Sequence, residues 1–233
     1  MGGGIAQVCA IAGYDVVCYD IAPDALTAAH EHATTGRFGL DNAVSRGKLT
    51  QQDADAALAR ISFTHEFDDA AHTDLVIEAV PERIDVKVRV FRDLDRACPP
   101  ETILASNTSG LPIAALAAAT DRPGKVIGWH WASPAPVMKL AEIVVTRDTS
   151  DATIAAVKDA AARCGKNPIV VKDNPMEWGF VANRVYFAMV REAQRVVDEG
   201  VATRDEVDQL MIDCYRWPSG PFGMVKGAGS GWS

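Results

Sequence analysis

Six short runs rich in β-branched residues recur before residue 178, with helical patterns between most of them, and none follows that point. They are Asp15–Asp20, Asp74–Val80, Thr102–Asn107, Lys125–Trp131, Lys139–Val145 and Asn167–Asp173. Each is bounded by Gly, Pro, Asp or Asn, which reads as a strand. Ala-rich stretches such as ATIAAVKDAAARCG lie between them, with Gly165 as a C-terminal stop. This alternation implies an α/β layer structure with a mostly parallel sheet. Several strands are apolar throughout, as expected when helices cover both faces. Residues Pro23 to about Arg60 hold no strand and read as a pair of helices. Ile84–Phe91 alternates like a strand, but Ile84, Val88, Phe91 and Leu94 also form a helical stripe, and the length through Ala97 favours a helix. Beyond Trp178 come two long helical patterns, the second opening on a capping box of Thr203 and Glu206. The expected domains are 1–176 and 177–233, the second all-helical and thin for a core of its own.

Composition narrows the function classes. Lys and Arg total 23 against 31 Asp and Glu, a formal charge of −8, with no basic cluster for a nucleic acid. No apolar stretch is long enough to cross a bilayer. The five cysteines are scattered and odd in number, without a C-x-x-C pair. They read as reduced thiols of a cytoplasmic protein, with no metal site.

The first twenty residues carry a nucleotide signal. Gly2 opens a helix, Gly13 ends it, and DVVCY leads to Asp20. A dinucleotide fold places its pyrophosphate at such a helix start and its ribose against such an acid. The preceding strand and the first two glycines of G-x-G-x-x-G are absent. The chain therefore reads as an internal segment lacking the first, central strand, and as given it is expected to bind NADH weakly. Alternatively, Gly2–Gly4 are a flexible terminus and Asp20 caps the next helix. If a nucleotide binds, Asp20 disfavours a 2′-phosphate and selects NAD over NADP.

A second signal is GWHWASPAPVMKLAEIV. His130 ends one strand and Glu142 follows twelve residues later, across a Pro-rich reversal. A carboxylate on one ring nitrogen fixes the tautomer and makes the other a better base. Against this, a His between two tryptophans also fits a packed interior position, and Glu142 a strand-edge charge.

HWASPAPVMKLAE resembles the signature of the NAD-dependent L-3-hydroxyacyl-CoA dehydrogenases, H-F-x-N-P-x-x-x-M-x-L-x-E. GIAQVCAIAGYDVVCYD, DLVIEAVPERIDVKVRVF, ASNTSGLPI, GFVANRV and PSGPF also fall in that family's order. The resemblance implies a Rossmann-like domain followed by a helical domain, truncated at both ends here. It implies NAD as cofactor, an acyl-CoA substrate and a homodimer formed through the helical domain. His130 would be the base and Glu142 its support. Ser109 would bond the substrate oxygen, and Asn183 would lie beside the substrate carbonyl. Gly2, Asp20, Glu82, Lys87 and Asn107 would contact the cofactor. Arg37, Arg46 and Lys48 are candidates for the phosphates of coenzyme A.

The chain departs from the pattern at Ser133, where the family has Asn, and at an inserted Met-Glu-Trp between Pro175 and Gly179. Only GMVKGAGSGWS follows PSGPF, with little helical signal. Two other functions remain open: a dehydrogenase for another 3-hydroxy compound such as carnitine, or a non-catalytic remnant that pairs with an intact subunit. A Ser/His hydrolase is disfavoured by the lack of a G-x-S-x-G elbow.

Overall fold

A computed structural model describes residues 1–230, and side-chain exposure through residue 226. The chain divides into two compact units, Met1–Phe180 and Val181–Ser233. The first unit runs α1 (Gly2–Ile11), β1 (Val16–Tyr19), α2 (Pro23–Thr34), α3 (Leu40–Ser45), α4 (Gln51–Ala59), β2 (Ile61–Thr64), α5 (Phe67–Ala71) and β3 (Leu75–Glu78). It continues through α6 (Ile84–Ala97), β4 (Ile103–Ser106), α7 (Ile113–Ala117), β5 (Val126–Trp131), β6 (Leu140–Val145), α8 (Asp151–Arg163) and β7 (Asn167–Lys172).

β1 and β2 pair in parallel as one sheet, and β3-β4-β5-β6-β7 form another. Every neighbour in the larger sheet is parallel except β5 and β6. Those two are joined by residues 132–139 alone, too short for a crossover, so the chain must reverse. The expected parallel-dominated α/β architecture is present. Helix α1 serves both sheets. Its Ile5 and Val8 join the cluster of Ala105, Ile127 and Trp129, while Ala6 and Ala10 pack with Ile61, Val16 and Cys18.

Three details differ from the sequence expectation. Residues 23–59 form three helices rather than two, because Gly36 and Gly39 interrupt the run and Gly47 turns it at φ +65°. β2 was not expected: ISFT is four residues long and follows an Ala-rich helix with no Gly or Pro between them. The stripe of α6 is also shifted. Ile84 is exposed, and Lys87 is buried beside Phe91 and Leu94.

The second unit contains α9 (Ala182–Asp198), α10 (Arg204–Tyr215) and α11 (Pro221–Ser230). The capping box at Thr203 and Glu206 forms as expected. The Gly-rich stretch after PSGPF is a correction, since it is helical through Ser230. Asp208 of α10 explains this by accepting the N–H groups of Phe222 and Gly223 at 2.8 and 2.7 Å. Those amides would otherwise lack partners at a helix start. Residues 231–233 of the same stretch lie outside the described residues. Among the described residues no helix is long and apolar enough to cross a membrane.

Candidate active site

Antiparallel pairing sets His130 directly opposite Glu142, and opposed residues in such a ladder project from the same face. His130 Nδ1 lies 2.7 Å from Glu142 Oε2, and the two residues are 6% and 3% exposed. With Nδ1 donating to the carboxylate, the neutral ring carries its lone pair at Nε2. Trp129 and Trp131 project from the other face, as the two-residue period of a strand requires. They stack at 4.8 Å within the core cluster that holds Ile5 and Val8. The ring of Phe180 is 6.0 Å from His130, centroid to centroid. The tryptophans thus pack one side of β5, and the histidine occupies the other.

The loop between the two residues is held from outside. Lys166 Nζ donates to the carbonyls of Ala135 and Met138 at 2.6 and 2.8 Å and lies over the Trp131 ring. Burial pushes the pKa of this lysine down. A Cβ at Gly4 would meet Ala135 and Pro136 at 3.5 Å, so the first turn of α1 lies against the same loop.

Asn107, just past β4, accepts the Trp131 N–H at its Oδ1, 2.9 Å away. That bond fixes the orientation of the amide and turns its NH2 away from the β5 backbone. Beside it, Glu82 Oε1 accepts the Thr108 hydroxyl at 2.6 Å and the Ser109 N–H at 2.8 Å. Ser109 therefore sits on a turn fastened by a carboxylate. Gly110 belongs to the same turn: a Cβ there would come within 2.2 Å of the Gly179 nitrogen. Only glycine permits this approach of the chain that leads to Phe180.

Lys87 lies beneath Glu82, with its side chain 1% exposed. Its ammonium meets Glu78 Oε1 at 2.7 Å, the Val80 carbonyl at 3.2 Å and Glu82 Oε2 at 3.2 Å. The first two are hydrogen bonds, and the third is an ion pair. Glu78 also accepts the Ser106 hydroxyl at 2.7 Å. The sequence reading overlooked Glu78, Ser106, Thr108 and Lys166. A signal for the first was present: an acid inside the apolar run DLVIEAV must find a buried partner.

At the other end of the unit, α1 starts at Gly2 with no side-chain cap and no acid in its first turn. A Cβ at Gly2 would meet nothing within 4 Å. Such an open start suits a pyrophosphate. Asp20 follows β1, and its Oδ1 accepts the Ala22 N–H at 2.9 Å, ahead of α2. Helix α2 takes Ala22 as its N-cap with no side-chain cap, so Asp20 does not cap it as the alternative reading expected, and Gly2–Gly4 lie within α1 rather than in a flexible terminus. The other carboxylate oxygen of Asp20 is left for a ribose hydroxyl. These residues fit a dinucleotide. Arg37, Arg46 and Lys48 are exposed on the helical segment after β1. Asn183 lies in the first turn of α9, in the second unit.

The family description "3-hydroxyacyl-CoA dehydrogenase, NAD binding domain" matches residues 1–174, and "3-hydroxyacyl-CoA dehydrogenase, C-terminal domain" matches residues 179–233. A probable 3-hydroxybutyryl-CoA dehydrogenase of Bacillus subtilis (strain 168) is 42% identical over 97% of this chain and 76% of its own length. A 3-hydroxyadipyl-CoA dehydrogenase of Escherichia coli (strain K12) is 39% identical over 95% of this chain and 45% of its own. The crystal structure of (S)-3-hydroxybutyryl-CoA dehydrogenase PaaH1 from Ralstonia eutropha is similar, with a TM-score of 0.89 and 42% identity. That match covers 95% of this chain and 76% of the other.

Proposed function

Because the chain belongs to the 3-hydroxyacyl-CoA dehydrogenase family, we propose that it interconverts an L-3-hydroxyacyl-CoA of the 3-hydroxybutyryl-CoA class and its 3-oxo product, using NAD. The observation that carries this reading is the buried His130–Glu142 pair, 2.7 Å apart on facing strands. His130 Nε2 takes the proton of the 3-hydroxyl as the C3–H bond breaks. Glu142 keeps the ring in that tautomer and offsets the positive charge it acquires. NAD, when bound, supplies the hydride acceptor. Ser109 donates to the substrate oxygen, and Asn183 orients the acyl carbonyl. Gly2 lets the pyrophosphate approach α1, and Asp20 accepts from the ribose. Glu82 and Asn107 border the cofactor, with Lys87 holding Glu82 in place. Arg37, Arg46 and Lys48 face the phosphates of coenzyme A.

Turnover of acetoacetyl-CoA with NADH tests the reading by loss of absorbance. His130→Ala should cut kcat by roughly 10²–10⁴-fold, the usual share of a positioned base. Normal turnover by that variant would overturn the assignment. A second copy of the chain is the proposed partner, through the helical unit. Val185, Val201, Leu210 and Tyr215 of that unit are exposed and offer apolar side chains for such a contact. The cytoplasm is the proposed compartment, in keeping with the scattered, unpaired thiols.

A further inference from the structure

Two thiols outside the proposed machinery lie in contact across the first unit. Cys9 is in the last part of α1, Cys164 is the residue that ends α8, and their Sγ atoms are 3.9 Å apart although 155 positions separate them. A disulfide needs about 2.0 Å, so closure asks for a movement of about 1.9 Å, shared by rotation about two Cα–Cβ bonds. The surroundings are cationic, with Arg163 just before Cys164 and Lys166 two residues after it. The Cys164 thiol is held below its usual pKa, first by the Cys9 hydrogen bond and then by Lys166 and Arg163, against the effect of burial. Cys9 is pushed well above its usual value, by the same bond first and then by burial. The cations Arg163 and Lys166 flank Cys164 in the chain, which favours a thiolate at that sulfur. Burial raises the Cys18 and Cys98 thiols instead.

We propose that Cys9 and Cys164 form a redox-active pair that closes to an intramolecular disulfide under hydrogen peroxide and reopens with excess small thiol. The Cys164 thiolate attacks one peroxide oxygen and breaks the O–O bond. This gives a sulfenic acid and hydroxide. Cys9 sulfur then attacks the sulfenic sulfur, its proton leaving with the displaced hydroxyl as water. Two thiols and one peroxide become one disulfide and two waters. Peroxide is small enough for the partly exposed Cys9 and the 8% exposed Cys164. The bridge ties α1, whose first turn packs on Ala135 and Pro136, to the end of α8 just ahead of Lys166, which holds the same loop.

The test is covalent, so its failure is distinct from any failure of the dehydrogenase reading. The intact chain is treated with a slight excess of peroxide, denatured, alkylated and mapped by mass. The expected product has lost two hydrogens, retains three alkylated thiols of the five, and yields one linked peptide pair containing Cys9 and Cys164. Dithiothreitol should restore all five. Cys164→Ser should leave Cys9 alkylatable after the same treatment. Five free thiols after peroxide, a different linked pair, or Cys164 carried through to a sulfinic acid without linkage would each overturn the proposal.

Discussion

At the scale of single residues, burial separates groups that look alike in sequence. His130 stands between two tryptophans, yet the strand's two-residue period places it on the opposite face, the one that carries Glu142. Lys87 looks like a solvated residue of an amphipathic helix. Instead it is buried against Glu78, Val80 and Glu82, whose oxygens offset the cost of taking its ammonium out of water. Lys87→Met should therefore destabilise the chain by about 3–5 kcal/mol, the cost of leaving a buried carboxylate without its partner. Adding Glu78→Gln should recover part of that loss, because the two sites are directly coupled. Denaturant unfolding of the wild type, both single variants and the pair measures this. A loss for Lys87→Met below about 1 kcal/mol would place the pair among ordinary surface contacts.

At the scale of elements, local pattern and tertiary capping divide the work. The capping box that opens α10 is complete in sequence. Thr203 takes the Glu206 N–H on its hydroxyl, and Glu206 takes the Thr203 N–H on its carboxylate at 2.7 Å. The Thr203 N–H and then the Thr203 hydroxyl, both donating to the carboxylate, hold the Glu206 carboxyl below its usual pKa. A depressed folded-state pKa adds stability above the unfolded value, and that stability is lost as pH falls through the folded one. The advantage of wild type over Glu206→Gln should thus be full at neutral pH and shrink on acidification below the ordinary carboxylate range. Melting curves of the two chains across that range test it, and a gap that widened in acid would contradict the assignment. Helix α11 is the opposite case. Its Gly-rich sequence has little intrinsic helicity, and its first amides are received by Asp208, a residue of another helix. No local pattern signals that contact.

At the scale of the whole molecule, each unit has its own logic. In the first, α1 packs on both sheets and its first turn rests on the loop between His130 and Glu142. In the second, three helices leave Leu210 62% and Val185 67% exposed, and these are the side chains through which the proposed dimer is tested. Sedimentation should show a dimer that Leu210→Asp or Val185→Asp shifts toward monomer. A wild-type chain that stays monomeric at high concentration would remove the proposed pairing. The sequence by itself determined the α/β alternation, the site of the strand reversal and the capping box, each written in local period or short spacing. Spacing alone left His130 and Glu142 open to a packed-interior reading, and the family resemblance singled them out as a pair. Only the tertiary structure decided that Lys87 is inside, that Glu78 and Lys166 brace the site, that Asp208 makes a helix of a Gly-rich tail, and that Cys9 meets Cys164. Lys166, Asp208 and Cys9 meet partners 14 to 155 positions away, brought in by how layers pack, whereas Lys87 reaches Glu78 nine positions back only because the chain turns between β3 and α6 and buries both.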